Sequence, residues 1–305
     1  MEPITILMST YNGEKFLRSQ LDSIFSQENV DIHLLVRDDG SNDSTLAILG
    51  EYEKKYPEKI KVLRGENMGW KKSFRNLVNY ASSHYQTSRY FAFADQDDIW
   101  LPEKLETAVK ALQNYIGSPA LYYSNLYYYK DGVNKGLINH ASVLSTFKNC
   151  LARNYATGCT VVFNSQLLEY LTHGEPGLET PHDYWAYMVA VLCGKVFYDP
   201  NSYILYRQHD SNQIGSKHGL IDVWRARFKR FSDPQLNNIR EKTARELLRI
   251  HSLEMYPEAR MAVEKLAGYK DSISNRLRLL FDSGYTLNNL GNDFFFKLRI
   301  IFGKL

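Results

Sequence analysis

Tyr90-Phe-Ala-Phe-Ala-Asp95-Gln-Asp97-Asp98-Ile-Trp-Leu-Pro102 is an apolar run that ends abruptly in three carboxylates within four residues. The first five positions suit a buried strand. The next four do not suit a core. Clustered carboxylates at the carboxyl edge of a strand repel one another, and each raises the proton affinity of the others unless a cation compensates. A hard divalent ion fits that need. Carboxylate oxygens favour Mg²⁺ or Mn²⁺, which complete their shells with water and substrate phosphates, so a nucleoside diphosphate is implied. The same residues also allow a solvated acidic turn that caps a helix starting at Pro102.

Around this stretch, short apolar runs alternate with helical patterns. Strands are expected at Ile4–Ser9, Ile32–Arg37, Ile60–Arg64, Ala120–Ser124 and Thr160–Phe163 as well as Tyr90–Ala94. Between the first two, Phe16, Leu17, Leu21, Ile24 and Phe25 recur at helical spacing within Glu14–Gln27. Ser41-Asn-Asp-Ser44 supplies cap residues for a second helix. This order predicts an α/β sheet covered by helices. A second acidic pair, Asp38-Asp39, ends the second strand ahead of Gly40-Ser41. Ligands of open α/β sheets gather at the carboxyl ends of the strands, so both acidic groups should face one crevice. Asp39 suits a base or ribose contact, or simply a turn before Gly40.

At 305 residues, 44% hydrophobic and 23% charged, the chain excludes wholesale disorder. Cys150, Cys159 and Cys193 are odd in number and widely spaced, which argues against a disulfide framework or a C-x-x-C metal knuckle and suits a reducing cytosol. Met1–Thr10 lacks a basic n-region and reads as a strand, not a secretory signal. No run approaches the roughly 18 apolar residues of a spanning helix. There is no G-x-G-x-x-G and no G-x-x-x-x-G-K-[ST], so neither a dinucleotide fingerprint nor a P-loop is present.

The net charge of +3 is uneven: residues 221–305 carry 16 Lys and Arg against 10 Asp and Glu, a net of +6, which leaves −3 for residues 1–220. The chain is therefore expected to divide into residues 1–220 and a basic, helical region at 221–305. In that region Val223–Phe231 and Asp293–Phe302 interleave aromatic or aliphatic residues with cations. Such segments suit an anionic membrane surface, docking on the rest of the protein, or a homodimer contact. Nucleic-acid binding would explain the tail but not the acidic clusters, which repel phosphate.

Seven ordered pieces carry a resemblance. Ser9-Thr10-Tyr11-Asn12-Gly13, Arg37-Asp38-Asp39-Gly40-Ser41, Glu66-Asn67-Met68-Gly69, Asp95-Gln96-Asp97-Asp98, Gly158 within Ala156–Thr160, His182-Asp183-Tyr184-Trp185 and Tyr206-Arg207-Gln208-His209 resemble the signature of glycosyltransferase family 2. The resemblance implies a GT-A fold, a mixed and mainly parallel sheet flanked by helices, over residues 1–220. Within the family the chain is most similar to bacterial rhamnosyltransferases of cell-surface polysaccharide synthesis. That implies an inverting transfer of L-rhamnose from dTDP-β-L-rhamnose to a lipid-linked glycan, with Mn²⁺ or Mg²⁺, at the cytoplasmic face of the cell membrane. A UDP-sugar donor, or a silent glycan-binding scaffold, is the alternative.

The resemblance also implies roles for residues. Thr10, Tyr11, Asp39, Asn67, Lys72, Asp95 and Gly158 would bind the nucleotide sugar; Asp95, Asp97 and His209 would hold the metal; Asp183 would be the general base. Asp183 equally suits a helix N-cap. Family members often have Glu-Asp where this chain has His182-Asp183, and no role is carried over from that Glu to His182. The run Leu121–Tyr129, with Trp185, suits either a sugar-stacking platform or strand residues packed against the sheet.

Overall fold

The computed structural model describes residues 1–115, 117–138, 146–174, 177, 180–208 and 220–305. It opens with alternating strands and helices: β1 (Glu2–Thr10), α1 (Leu17–Phe25), β2 (Val30–Asp38), α2 (Thr45–Lys55), β3 (Ile60–Arg64), α3 (Trp70–His84) and β4 (Tyr90–Ala94). There follow β5 (Ile99–Trp100), α4 (Lys104–Leu112), β6 (Ala120–Lys130), β7 (Val133–Leu137), α5 (Phe147–Ala152), β8 (Val162–Asn164), α6 (Ser165–Leu171), α7 (His182–Cys193) and β9 (Lys195–Arg207). The remainder is helical: α8 (Leu220–Ser232), α9 (Ile239–His251), α10 (Pro257–Ala267), α11 (Ile273–Leu280) and α12 (Leu290–Ile301).

Among the described residues one mixed sheet runs β3-β2-β1-β4-β8-β6-β9-β5, with β7 added on β6. β1 pairs in parallel with both β2 and β4. The chain therefore leaves β1 in one direction to build β2 and β3, then returns to lay β4 on its other side. That reversal opens a crevice at the carboxyl ends of β1, β2 and β4. Ser9–Asn12, Asp38–Asp39 and Asp95–Asp97 all lie at those ends.

The strands alternate their faces as a two-residue period requires. Ile4, Ile6 and Met8 face α1, α2 and α4, whereas Leu7, Leu35, Phe91 and Phe93 face α3, α6 and α7. The second layer continues without a break into the C-terminal helices, through Ala244 and Leu247 of α9, Val263 and Leu266 of α10, Leu279 of α11 and Phe296 and Ile300 of α12. Polar ties reinforce this contact. Asp282 accepts from both Lys148 and Lys265; burial works against its charge, but the two lysines outweigh it and hold the carboxyl at about 2. The C-terminal region thus docks on α5 and α7 through α9 and α10; of its two amphipathic ends, α12 joins the core through Phe296 and Ile300, while Trp224 and Phe228 of α8 stay exposed.

Two sequence expectations shift. The strand expected at Thr160–Phe163 starts at Val162, because Gly158–Thr160 form a 3₁₀ turn. β6 runs on to Lys130, and its tyrosines pack within the sheet: Tyr122 donates to Asp199 at 2.9 Å, and the Tyr123 ring meets Tyr187 and Tyr198. Trp185 is 4% exposed in the core. Of the two readings open for this run, strand packing describes Tyr122, Tyr123 and Trp185, while Tyr127, Tyr128 and Tyr129 are half-buried.

Candidate active site

A cleft of about 1840 Å³ opens over the carboxyl ends of the strands and is lined by Tyr11, Asp39, Asn67, Asp95, Asp97, Gly158 and Asp183. Five separate loops and a helix bring these residues together. Thr10 and Lys72 do not line it. The Thr10 side chain is buried and donates to Asp38 at 3.1 Å, while Lys72 points outward and its neighbour Lys71 lines the cleft. His209 lies outside the described residues.

The nucleoside end is built by loop clamps. Asp39 accepts from Arg37, from the Met68 N–H at 2.9 Å and from the Gly69 N–H at 2.8 Å. A carboxylate has about four lone-pair sites, so Asp39 can shape the Glu66–Gly69 loop and still accept one more donor. Gly40 (φ +81°) brings its backbone within 3.1 Å of the Asn67 nitrogen, measured from where a Cβ would stand, which is why Gly suits this turn. Gln96, which the sequence reading left without a role, exchanges two hydrogen bonds with the backbone of Tyr11. A Cβ on Gly13 would stand 2.4 Å from its Oε1.

The three carboxylates of the acidic loop are not equivalent. Asp98 is fully buried and accepts the Arg207 backbone N–H at 3.1 Å, while the Arg207 guanidinium donates to the Asp97 carbonyl at 2.8 Å. Asp98 thus latches the loop to the end of β9. Burial first, then the charges of Asp95 and Asp97, push its carboxyl well up. Its surroundings include Cys159 and buried Lys104, whose ammonium sits 3.7 Å from the Trp100 ring centre and which burial pulls down to about 7.

Asp95 and Asp97 face the cleft. Burial, followed by the neighbouring Asp97 and Asp183, raises the Asp95 carboxyl. A bound cation would relieve that repulsion, and two hard oxygen donors beside an open cleft fit Mg²⁺ or Mn²⁺. Asp95, Asp98 and Cys159 also cluster closely enough for a metal. The Cys159 thiol, however, is pushed well up by burial, and Asp98 gives one of its two oxygens to the Arg207 N–H.

Asp183 occupies the first turn of α7, with Pro181 at the N-cap position. Its Oδ1 accepts the Tyr184 N–H at 2.8 Å, and its Oδ2 accepts from Asn154 Nδ2 at 3.0 Å. Burial raises the carboxyl to about 6 although these hydrogen bonds oppose the shift. Asn154 has no signal in the sequence; it follows α5 as part of a loop held by the C-terminal region. Beside Asp183, His182 stacks on Phe74 at 3.7 Å and meets Phe93 edge-on. Burial holds its imidazole neutral, down to about 3, and both ring nitrogens lack a hydrogen-bond partner among the described residues.

The far wall comes from the C-terminal helices: Arg227, Arg230 and Phe231 of α8, Arg240 of α9, and Phe295 and Arg299 of α12. Among the described residues no helix is long and apolar enough to cross a membrane.

A sheet of this topology with an acid-lined crevice at its switch point defines a nucleotide-sugar transferase class, and the comparisons agree. The family model described as Glycosyl transferase family 2 matches residues 5–171, and this chain belongs to that family. The dTDP-rhamnosyl transferase RfbG of Shigella flexneri is 32% identical over 218 residues, which is 68% of this chain and 74% of the relative. The UDP-Glc:alpha-D-GlcNAc-diphosphoundecaprenol beta-1,3-glucosyltransferase WfgD of Escherichia coli is 31% identical over 174 residues, 54% of this chain and 61% of the relative. Among solved structures, S. aureus TarS 1-349 in complex with UDP-GlcNAc superposes with a TM-score of 0.53 at 17% identity, covering 100% of this chain and 93% of that one, a likeness of fold.

Proposed function

We propose that this chain is an inverting, metal-dependent glycosyltransferase that moves L-rhamnose from dTDP-β-L-rhamnose to a hydroxyl of a lipid-linked glycan, working at the cytoplasmic membrane face. The observation that carries the chemistry is Asp183: a half-buried carboxylate in the same cleft as Asp95 and Asp97, with its proton affinity raised to about 6. A general base works best when its pKa lies near the working pH. Asp183 takes the proton of the acceptor hydroxyl as that oxygen bonds to the anomeric carbon and the carbon–oxygen bond to the diphosphate breaks. Asn154 and the Tyr184 N–H orient it. Asp95 and Asp97 would hold Mg²⁺ or Mn²⁺, with His209 the third ligand proposed; the ion, when bound, offsets the charge that develops on the departing diphosphate.

Tyr11, Asp39, Asn67 and Gly158 line the donor side, and Thr10 supports it through Asp38. The rhamnosyl donor is supported by the 32% identity to the Shigella enzyme. The second reading, a UDP-sugar donor, is favoured by the likeness to the E. coli glucosyltransferase. Thermal melts with dTDP, UDP and GDP, each with and without Mn²⁺ or Mg²⁺, separate them. A ligand at about 100 times its Kd stabilises by about 2.7 kcal/mol. We expect a metal-dependent shift greatest with dTDP; UDP ahead would replace the sugar, and no shift with any nucleotide would point to a silent scaffold.

A further inference from the structure

The far wall of the cleft concentrates positive charge, with the Asp233 carboxylate acting on Arg299 from beyond ion-pair distance. Among the described residues, none of Arg227, Arg230, Arg240 and Arg299 forms an ion pair with a carboxylate, although many arginines and lysines elsewhere do. Arg299 is 7% exposed and satisfied by the carbonyls of Leu236, Lys304 and Arg230. Arg240 gives both of its hydrogen bonds to one acceptor, the Ala152 carbonyl, at 3.1 and 2.9 Å. A guanidinium has five N–H donors, so most of those of Arg240 remain uncommitted. Arg227 is aimed by Asn292 and Asn289, at 2.8 and 2.9 Å. Arg230 is exposed, and no hydrogen bond or ion pair of its side chain to a described residue is present. Burial disfavours the charges of Arg240 and Arg299, a cost that an anion in the cleft would offset.

The wall adjoins an exposed aromatic surface. On α8, Trp224 is 47% and Phe228 63% exposed; Trp224 lies about one turn before Arg227 and Phe228 follows it directly, and Trp224 meets the rings of Phe294 and Phe295 on α12. A ligand held here would thus be anionic where it enters the cleft and apolar where it leaves it. The planar fork of Arg matches phosphate oxygens.

We propose that the α8–α9–α12 wall binds the diphosphate ester of a lipid-linked acceptor, with the lipid leaving across Trp224 and Phe228 and the glycan lying toward Asp183. This deepens the proposed function and rests on its lipid-linked acceptor. It assigns the basic C-terminal region to acceptor recognition as well as to membrane contact. It also links the wall to the base: Arg240 holds the Ala152 carbonyl two residues before Asn154, which donates to Asp183.

The test titrates farnesyl diphosphate calorimetrically into the full chain saturated with dTDP, with Mg²⁺ in excess. Binding is expected, weakened at least about tenfold in an Arg227→Gln/Arg230→Gln variant whose melting temperature and dTDP affinity match the parent. Arg230→Gln alone, at an exposed position, should give a smaller loss in the same direction and guards against misfolding of the pair. Farnesol and inorganic pyrophosphate should each bind at least about tenfold more weakly than the ester. Undiminished binding by the variants, equal binding of farnesol, or displacement of dTDP would overturn the site. Pyrophosphate binding as tightly as the ester would overturn its assignment to a lipid carrier in favour of free phosphate. Arginine-dependent binding of the ester by a protein that ignores dTDP would sustain the site and remove the donor reading instead.

Discussion

The two walls of the cleft are built by opposite means. The donor wall sits on strand ends, where Asp39, Asp95, Asp97 and Asp98 crowd into loops clamped by Arg37, Gln96 and Arg207. The acceptor wall sits on helices, where Arg227, Arg230 and Arg240 stand among Phe231 and Phe295. One wall collects negative charge and calls for a cation. The other collects positive charge beside rings. Under the proposed function, the contrast would let a diphosphate be held in two ways: through a metal on carboxylates where it leaves, or directly on guanidinium groups where it stays. Asp183 lies between the walls, fixed to the strand-end side by α7 and to the helical side through Asn154.

The sharpest way to break this division is at the base. Asp183→Asn should lower kcat by about 10³-fold, within the usual range for a general base, while dTDP affinity measured by calorimetry stays unchanged. Activity near that of the parent would remove Asp183 from the mechanism. Asp97→Asn should act on the donor wall alone, lowering metal-dependent dTDP affinity by about 10²-fold with little effect on farnesyl diphosphate binding.

The pH dependence sharpens the role of Asn154. Because Asp183 must be ionised and burial raises it to about 6, kcat/KM should climb with pH through about 6 and level off above it. Asn154→Ala removes a hydrogen bond to the charged form and should move that limb to higher pH. Stability should run the other way. The folded chain keeps the Asp183 proton that the unfolded chain releases near pH 4, so Asp183 costs stability as pH rises from about 4 to about 6, and the cost persists above. The advantage in melting temperature of Asp183→Asn over the parent should therefore be absent near pH 4 and full above pH 6.

The smallest effect belongs to the rim of the acceptor wall. Trp224→Ser with Phe228→Ser should weaken sedimentation with anionic liposomes severalfold and leave dTDP binding intact, since both rings are exposed. Deleting the C-terminal helices is a poorer test. It would strip Leu247, Val263, Leu266 and Phe296 from a shared core and expose α7.

The two walls also differ in how far they could be read beforehand. Strand ends carry local signals: an apolar run stopping at Asp95, or Asp38-Asp39-Gly40 after Val36, marks an edge and a turn without knowledge of the partners. The helical wall carries only periodicity and charge, which suit a bilayer and a protein core equally well. Lys71 and Lys72 show the limit in miniature, since the sequence reading assigned Lys72 to the nucleotide sugar and the phase of α3 turns Lys71 inward instead. Gln96 lay inside a family motif without a role, and Asn154 had no signal at all. An amide is an ordinary loop residue until the fold sets it against Tyr11 or Asp183.

The sequence by itself determined the sheet, the position of the acidic edge and the chemistry that edge invites, because strand periodicity and the repulsion of neighbouring carboxylates are properties of residues close in the chain. Tertiary structure decided which of the acids is which. Asp98 became a buried latch, Asp95 and Asp97 were left facing the cleft, and Asp183 gained its raised proton affinity only because α7, the Asn154 loop and the strand ends exclude water around it. It also decided that the basic tail closes the cleft, since docking depends on a complementary apolar face on α5 and α7 that no local pattern in residues 221–305 reveals.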